Sequence, residues 1–417
     1  MSALSYWVWL SLCIKPGAQA SDFILREFNY DASAIYNADE KAYRRIGNLD
    51  ESVIESLLNK DLSEANEIID YCRLNNFGIL TYDSQYYPSR LRRIERAPIL
   101  LYYCGKLIDI DDNVGIAAVG TRRFTDYGRR EAYKICRDLA AGGAIIVSGM
   151  ARGIDSICHR AALDAKAPTI AVLGSGINKI YPPENEDLYN EIKKTGTIIS
   201  EFRPFADPIG SNFPIRNRII SGLSLGTLVV EADLKSGAMI TARYALKQGR
   251  DIYAVPGKIG DQNSLGTNQL IQNGAKMVQG AMDILTEYEF FYPHRISIDK
   301  IPKFSRFKLN AISKTDKSNT PDSTHTQKQT AEKSTQNKPN SESGRNSNVL
   351  QKADSSTYGI SEELLKILNL MPTGEAVNID ELCSQEYSAS TILSNMTRLE
   401  IKGLVRKLPG GKFIRLK

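Results

Sequence analysis

The chain has 417 residues, with 42% hydrophobic and 24% charged side chains and a formal net charge of +5. These values are ordinary for a soluble globular protein, and the length predicts two to four domains. The mild positive charge permits an anionic partner without requiring one. No apolar run approaches the ~20 residues that cross a bilayer, so the sequence argues against an integral membrane protein.

The six cysteines offer no metal or redox motif. None stands in a C-x-x-C pair, and several lie within apolar runs, where free cysteine acts as a small hydrophobic side chain. This usage is typical of a reducing compartment, so we predict a cytoplasmic protein.

The first predicted element is an apolar segment over residues 4–14. A following Ala-Gln-Ala at 18–20 imitates a signal-peptidase site. However, no lysine or arginine precedes the apolar segment, and Lys15 and Pro16 interrupt it before the imitated site. We therefore predict a buried first helix rather than a signal peptide.

Further short helices are predicted up to residue 76, each starting near a capping or acidic residue. They cover Asp22 onward, Asp39 onward, 50–58 and 62–74. The sequence therefore predicts a helical domain over residues 1–76.

The segment 77–290 has the pattern of an α/β domain. It begins with two strand-like runs, at 79–82 and 99–103. Short apolar runs then alternate with helical periodicity, and they predict strands at 114–119, 145–147, 169–173, 197–200, 225–230 and 251–255. Strands that are apolar throughout and alternate with helices indicate a parallel sheet covered on both faces.

The last part of the chain changes composition twice. Residues 303–358 are rich in Ser, Thr, Asn, Gln and Lys, and they carry too little apolar surface to offset the entropy of ordering. We predict a disordered linker there. Over 359–417, three helical patterns are followed by a hairpin that turns at 409–411, which predicts a winged helix-turn-helix.

Glycines and polar or cationic side chains follow the first three strands counted from residue 114. In a parallel sheet these turns share one edge, where ligands bind. Glycine lets a backbone approach phosphate closely, free N–H groups at helix starts attract anions, and arginine supplies a planar fork for phosphate. The predicted binding residues are Gly120, Arg122 and Arg123 in the first turn, Ser148, Gly149 and Arg152 in the second, and Gly174 in the third, with Lys179 nearby.

Two later stretches extend this predicted anion site. Arg216, Asn217 and Arg218 follow a Phe-Pro pair at the expected start of a helix. Ser236 and Gly237 are placed to open another helix with free N–H groups.

The sequence carries little that indicates catalysis. It has three histidines, and the pair formed by Asp155 and His159 is interpreted as a local structural hydrogen bond. The G-x-G-x-x-G pattern lacks its third glycine, and no P-loop or H-E-x-x-H motif occurs. We predict a protein that is not an enzyme and that uses neither a cofactor nor a metal.

Taken in chain order, these motifs resemble the DprA/Smf family, over roughly residues 84–290. The resemblance rests on the segments 119–122, 148–155, 171–176, 213–220, 230–232, 235–237, 254–257 and 268–275. It implies a Rossmann-like core that binds single-stranded DNA, a homodimer, and loading of a RecA-type recombinase during natural transformation. It also implies a helical, SAM-like N-terminal domain and an optional C-terminal winged helix. Arg122, Arg216 and Asn217 match the family's DNA-contacting turn and its F-P-x-R-N segment.

Two other functions stay open on the sequence alone. The first is a LOG-type nucleotide phosphoribohydrolase, because Gly226 and Thr227, followed by Glu231, loosely resemble its P-G-G-x-G-T-x-x-E motif, although the leading Pro-Gly-Gly is missing. The second is a scaffold whose basic turns contact carboxylates of another protein.

Overall fold

The computed structural model divides the chain into two compact units, Met1–Arg306 and Phe307–Lys417. It describes residues 3–301 and, of the remainder, 362–372, 375–378, 382, 392, 395–396, 399–400, 404–408 and 412–416. The predicted linker at 303–358 lies outside the described residues.

The chain begins with six short helices. They are α1 (Ala3–Cys13), α2 (Ala20–Glu27), α3 (Ala32–Asn37), α4 (Glu40–Arg45), α5 (Glu51–Leu58) and α6 (Ser63–Leu74). The predicted buried first helix is confirmed, because Trp7, Val8, Trp9 and Leu10 of α1 are buried. Helix α3 was not predicted from the sequence; its N-terminus is capped by the Asp31 carboxylate, which accepts from the N–H groups of residues 33 and 34.

The centre of the first unit is a nine-stranded sheet with the order β1-β2-β6-β5-β4-β3-β7-β8-β9. Its strands are β1 (Gly78–Thr81), β2 (Leu100–Gly105), β3 (Gly115–Val119), β4 (Ile145–Ser148), β5 (Thr169–Leu173), β6 (Thr197–Ser200), β7 (Gly226–Val229), β8 (Asp251–Ala254) and β9 (Lys276–Met277). The strands from β3 to β9 pair in parallel, as predicted for β3 to β8, while β9 was not predicted. The strands β1 and β2 pair antiparallel with each other, and β2 also pairs antiparallel with β6, so the sheet is mixed at that edge.

Helices cover both faces of this sheet. They are α7 (Ser89–Arg92), α8 (Asp126–Ala141), α9 (Ile154–Asp164), α10 (Glu186–Thr195), α11 (Asn212–Gly222), α12 (Gly237–Lys247), α13 (Gln262–Gln272) and α14 (Met282–Tyr288), with 3-10 turns at Pro183–Asn185 and Ile298–Lys300. Every residue of β3, β4, β5 and β6 is buried, which explains why their sequences are apolar without alternation.

Three hydrophobic clusters join these layers. One unites the helices of residues 3–74 with β2, β5, β6 and α10, a second packs α8, α9 and α14 on β3, β4, β7 and β8, and a third packs α7, α11 and α12 on the opposite face. The N-terminal helices therefore share a core with the sheet inside one compact unit.

The second unit contains a helix and a small antiparallel sheet among its described residues. They are α15 (Glu362–Asn369), β10 (Ala376–Asn378), β11 (Val405–Leu408) and β12 (Lys412–Arg415). The predicted hairpin is present, because β11 and β12 pair antiparallel, although its turn at 409–411 lies outside the described residues. Most of the second and third predicted helices also lies outside them, so the winged helix stays a prediction.

Within the part of the chain that the structure describes, every helix is too short or too polar to span a bilayer.

Candidate functional site

The candidate site is the edge of the sheet at the carboxyl ends of β3, β4, β5 and β7. The chain runs from β3 outward to β6 and then returns to place β7 on the other side of β3. Such a reversal leaves a crevice at the carboxyl ends of β3 and β7, because the helices that follow these two strands, α8 and α12, pack on opposite faces of the sheet. We call the turns after β3, β4, β5 and β7, together with the first turns of α11 and α12, the rim.

The turns after β3 and β4 touch each other through glycine. A Cβ built on Gly120 would stand 2.6 Å from the buried Ile154 side chain, and Gly153 has a φ of +87°. The N–H of Ile154 donates to the carbonyl of Thr121 at 3.3 Å. Side chains larger than hydrogen at these glycines would therefore separate the two turns.

Two guanidinium groups lie against one aromatic ring at the rim. The Arg122 guanidinium lies 5.5 Å from the centre of the Phe213 ring, and the Arg216 guanidinium lies 5.9 Å from the same centre. Tyr181 contacts this ring at a centroid distance of 5.5 Å. Arg122 and Arg123 are exposed, and within the described residues neither side chain forms an ion pair.

The structure corrects the prediction that Arg216 and Arg218 stand at a helix start. Helix α11 begins at Asn212, because Pro214 is tolerated in its first turn, where the missing N–H has no intrahelical partner. Both arginines consequently lie in the second turn, and they are only 3% and 2% exposed.

The two buried arginines bind protein groups rather than solvent. The Arg216 guanidinium donates to the carbonyl of Gly149 at 2.7 Å and to that of Val172, so it ties α11 to the ends of β4 and β5. The Arg218 guanidinium pairs with the Glu201 carboxylate at 2.6 Å. We infer that both arginines shape the rim from beneath.

Burial perturbs three ionisable groups below the rim. Desolvation lowers the pKa of Arg216 to about 10, and desolvation raises the pKa of Asp155 to about 6 against the opposing effect of Arg216. Desolvation, aided by Arg216, lowers the pKa of His159 to about 3, so this ring is neutral at physiological pH.

The expected hydrogen bond between Asp155 and His159 is not formed. The Asp155 carboxylate accepts from the N–H of Gly149 at 3.2 Å, and the His159 Nδ1 lies 2.8 Å from the Thr169 hydroxyl. The Thr169 hydroxyl donates its proton to the carbonyl of Ile146, so it must accept a hydrogen bond from His159. The imidazole proton therefore lies on Nδ1. Both side chains are structural, as predicted, but they have other partners.

Two further predicted residues are buried in the rim. The Ser148 hydroxyl donates to the carbonyl of Ala118 at 2.6 Å and is inaccessible to a ligand. Gly174 is also buried, and a Cβ built on it would lie 2.8 Å from the Phe213 ring. Gly174 therefore makes room for the ring that contacts Arg122.

Arg152 and Lys179 are exposed, and each faces a carboxylate. Arg152 forms a two-bond ion pair with Glu184, in which the second bond measures 3.1 Å. Lys179 lies 3.5 Å from Asp207. Exposed pairs of this kind contribute about 0–1 kcal/mol, so a stronger anion can displace the carboxylate.

The rim continues from α11 to the start of α12. The Asn217 amide donates to the carbonyl of Gly237 at 3.4 Å. Ser236 precedes α12 in extended conformation, and its buried hydroxyl oxygen has no hydrogen-bond partner among the described residues. Gly237 is exposed, with open space around the position of a Cβ. The structure thus brings Arg122, Gly149, Gly174, Arg216, Asn217 and Gly237 into one connected series of contacts.

The roles of Phe213 and Glu231 in this arrangement were not predicted from the sequence. Glu231 is buried, and its carboxylate accepts from both the N–H and the hydroxyl of Thr125, which caps α8. Glu231 therefore fixes the turn that carries Arg122. Its position directly after an apolar strand was the available signal, because a carboxylate there needs a buried partner.

No group of three or more potential metal ligands occurs among the described residues.

The open, doubly wound sheet and its glycine-lined rim define an α/β protein of the Rossmann-like class. A sequence profile of the family described as DNA recombination-mediator protein A matches residues 78–289, about half of the chain. The chain belongs to that family.

Individual relatives agree with this assignment. The chain is 43% identical over 216 residues to Protein Smf of Escherichia coli, a match that covers 52% of this chain and 58% of that protein. It is 39% identical over 229 residues to DNA processing protein DprA of Streptococcus pneumoniae, covering 55% and 79% of the two chains.

A solved structure is also similar. The X-ray structure of DNA processing protein A from Streptococcus pneumoniae aligns with a TM-score of 0.60 and 32% identity, covering 69% of this chain and 99% of that chain.

Proposed function

We propose that the rim binds single-stranded DNA without strong sequence preference. The observation that carries this proposal is the exposed Arg122 beside the half-buried ring of Phe213. Proteins that hold unpaired strands combine cations for phosphates with aromatic rings on which bases stack. Arg122 and Arg123 supply such cations without an ion-pair partner in the described residues.

In this proposal the predicted DNA-binding residues divide into two groups. Arg122, Arg123, Asn217 and Gly237 are accessible and contact the strand. Gly120, Ser148, Gly149, Gly174, Arg216 and Arg218 hold the contacting groups in place, because they are buried or serve close approaches between turns. In this proposal, Arg152, Lys179 and Ser236 lie at the border of the binding surface. They contact the strand when a phosphate displaces the groups that now surround them.

We further propose that the protein loads a RecA-type recombinase on the bound strand during natural transformation, as a cytoplasmic homodimer. Membership of a family described as recombination mediators supports this role. The relatives named DNA processing protein support a function on DNA rather than on a free nucleotide. A winged-helix C-terminal domain belongs to the same proposal.

The alternative of a phosphoribohydrolase has less support. Its motif would need Glu231 to face a substrate, whereas this carboxylate is buried and satisfied by Thr125. We therefore favour strand binding over base release.

The proposal is tested by replacing Arg122→Ala in the full chain. We expect the affinity for fluorescent oligonucleotides to fall roughly tenfold, by a similar factor for every sequence, since phosphate contacts carry no sequence information. Fluorescence anisotropy at two salt concentrations measures this. Arg45→Ala is the matched control, because Arg45 is an exposed cation of α4. Equal binding by both variants and the unmodified protein would overturn the site assignment.

A further inference from the structure

A groove lined mainly by α8 and α9 leads away from the rim. It encloses about 880 Å³, and five of its lining residues are cations: Arg129, Arg130, Lys134, Arg137 and Arg160. Three carboxylates, those of Asp126, Glu184 and Asp187, also line it. None of the residues predicted from the sequence lines this groove.

The groove begins where the rim ends. Helix α8 starts three residues after Arg123, and Glu184, which pairs with Arg152 at the rim, lines the groove mouth. From Arg129 to Arg137 the cationic stripe of α8 extends about 12 Å, at 1.5 Å per residue. A nucleic acid strand bound at the rim would therefore meet these cations next.

Three of the five groove cations are more available to a polyanion than Arg137 and Arg160, which pair with Asp138 at 3.1 Å and Glu191 at 2.5 Å. Lys134 has no ion-pair partner among the described residues. Arg129 and Arg130 are 61% and 66% exposed, with carboxylates at 3.6 and 3.2 Å. The pair of Arg129 with Asp126 is exposed on both sides and contributes about 0–1 kcal/mol, so a phosphate can replace this carboxylate at little cost.

Tyr133 adds an aromatic surface between these cations. Its hydroxyl donates to Asp164 at 2.8 Å, which orients the ring, and the Arg137 guanidinium lies 6.0 Å from the ring centre. A ring fixed among cations in an open groove is suited to a nucleic acid strand, since bases stack on such rings while phosphates meet the cations.

We propose that this groove carries the continuation of the DNA strand beyond the rim. The inference rests on the proposed function of the rim and extends its binding path along α8 and α9. It predicts that the groove contributes to the binding of long oligonucleotides and leaves the binding of short ones unchanged.

The test uses the full chain with Arg130→Gln and Lys134→Gln together. Affinity is measured by anisotropy for single strands of about 6 and about 30 nucleotides. We expect a loss of roughly fivefold to tenfold for the long strand and less than about twofold for the short strand. Removing two phosphate contacts should make the slope of log K against log salt concentration for the long strand shallower by about 1.4.

The matched control is Lys41→Gln with Lys106→Gln. Both lysines are exposed and remote, since Lys41 lies in α4 and Lys106 follows β2 at the opposite edge of the sheet. Arg160→Gln, on the α9 wall, is a second variant that must give the same length-selective loss.

The outcomes separate the two proposals. If the unmodified protein binds neither strand, the proposed function of the rim fails and the groove fails with it. If it binds both, and the groove variants match the control at both lengths, only the groove proposal is overturned. Unchanged binding of DNA with reduced loading of a RecA-type recombinase would overturn it too, by assigning the groove to a protein partner.

Discussion

Asp155 shows how a single buried carboxylate organises the rim. It accepts the N–H of Gly149, lies near the buried Arg216, and has a pKa raised to about 6 because burial disfavours its ionised form. A raised pKa means that the folded protein holds this proton more tightly than the unfolded chain, whose Asp pKa is near 4. The ionised carboxylate therefore costs stability, and this cost grows as pH rises.

Asp155→Asn should remove that pH dependence. Between about pH 4 and pH 6 the free energy of unfolding of the unmodified protein should fall, relative to the variant, by on the order of 2–3 kcal/mol. Urea unfolding of both proteins at several pH values measures the difference. His159 titrates in the same range with the opposite sign, but both proteins retain it, so its effect cancels. A constant difference across this range would contradict the assignment.

The burial of Arg216 and Arg218 could not be predicted from the sequence. Arg216, Asn217 and Arg218 form a polar run, and such a run is usually exposed. The groups that make burial possible, the carbonyls of Gly149 and Val172, belong to other strands. Pairings that distant along the chain leave no local pattern, whereas the glycines and Arg122 were predictable from their place after apolar strands.

At the scale of elements, burial decided which strands were predictable. The fully buried strands β3 to β6 have continuous apolar sequences and were located within one or two residues. The missed elements lack such a pattern. Helix α3 has only six residues, and β9 has two, both exposed. Short elements of this kind depend on neighbouring elements rather than on their own sequence.

The packing of the turn after β3 against α9 gives a prediction at this scale. Gly120→Ala should lower the free energy of unfolding by about 1–3 kcal/mol, because the added methyl group overlaps the buried Ile154. It should also weaken strand binding, since the same turn carries Arg122. Gly237→Ala is the control at the rim, where the added methyl group meets open space. Chemical denaturation compares the two variants, and equal stability would show that the two turns are not in tight contact.

At the scale of the whole molecule, the N-terminal helices and the sheet share a hydrophobic core. The sequence predicts a separate helical domain over residues 1–76, yet Trp7 and Leu10 of α1 belong to the same buried cluster as Leu100 and Tyr102 of β2. A shared core couples the unfolding of the parts that it joins.

This coupling is measurable because both tryptophans of the sequence, Trp7 and Trp9, lie in α1. Tryptophan fluorescence therefore reports on the N-terminal helices, and circular dichroism reports on all helices. For the chain ended at residue 306, we expect the two urea transitions to coincide within about 0.2 M. An earlier fluorescence transition would show that the helices unfold independently. The full chain serves as the reference for tryptophan fluorescence.

The brevity of β9 limits how this border of the sheet can pair with a strand of another molecule. This strand closes one side of the sheet with two residues, and the amine of Lys276 is held by Glu287 at 2.6 Å. Another copy of the chain therefore finds few unpaired backbone N–H and C=O groups there to extend the sheet, and the charged Lys276 lies beside them. Two copies of the chain are thus poorly suited to joining their sheets into one continuous sheet at this border.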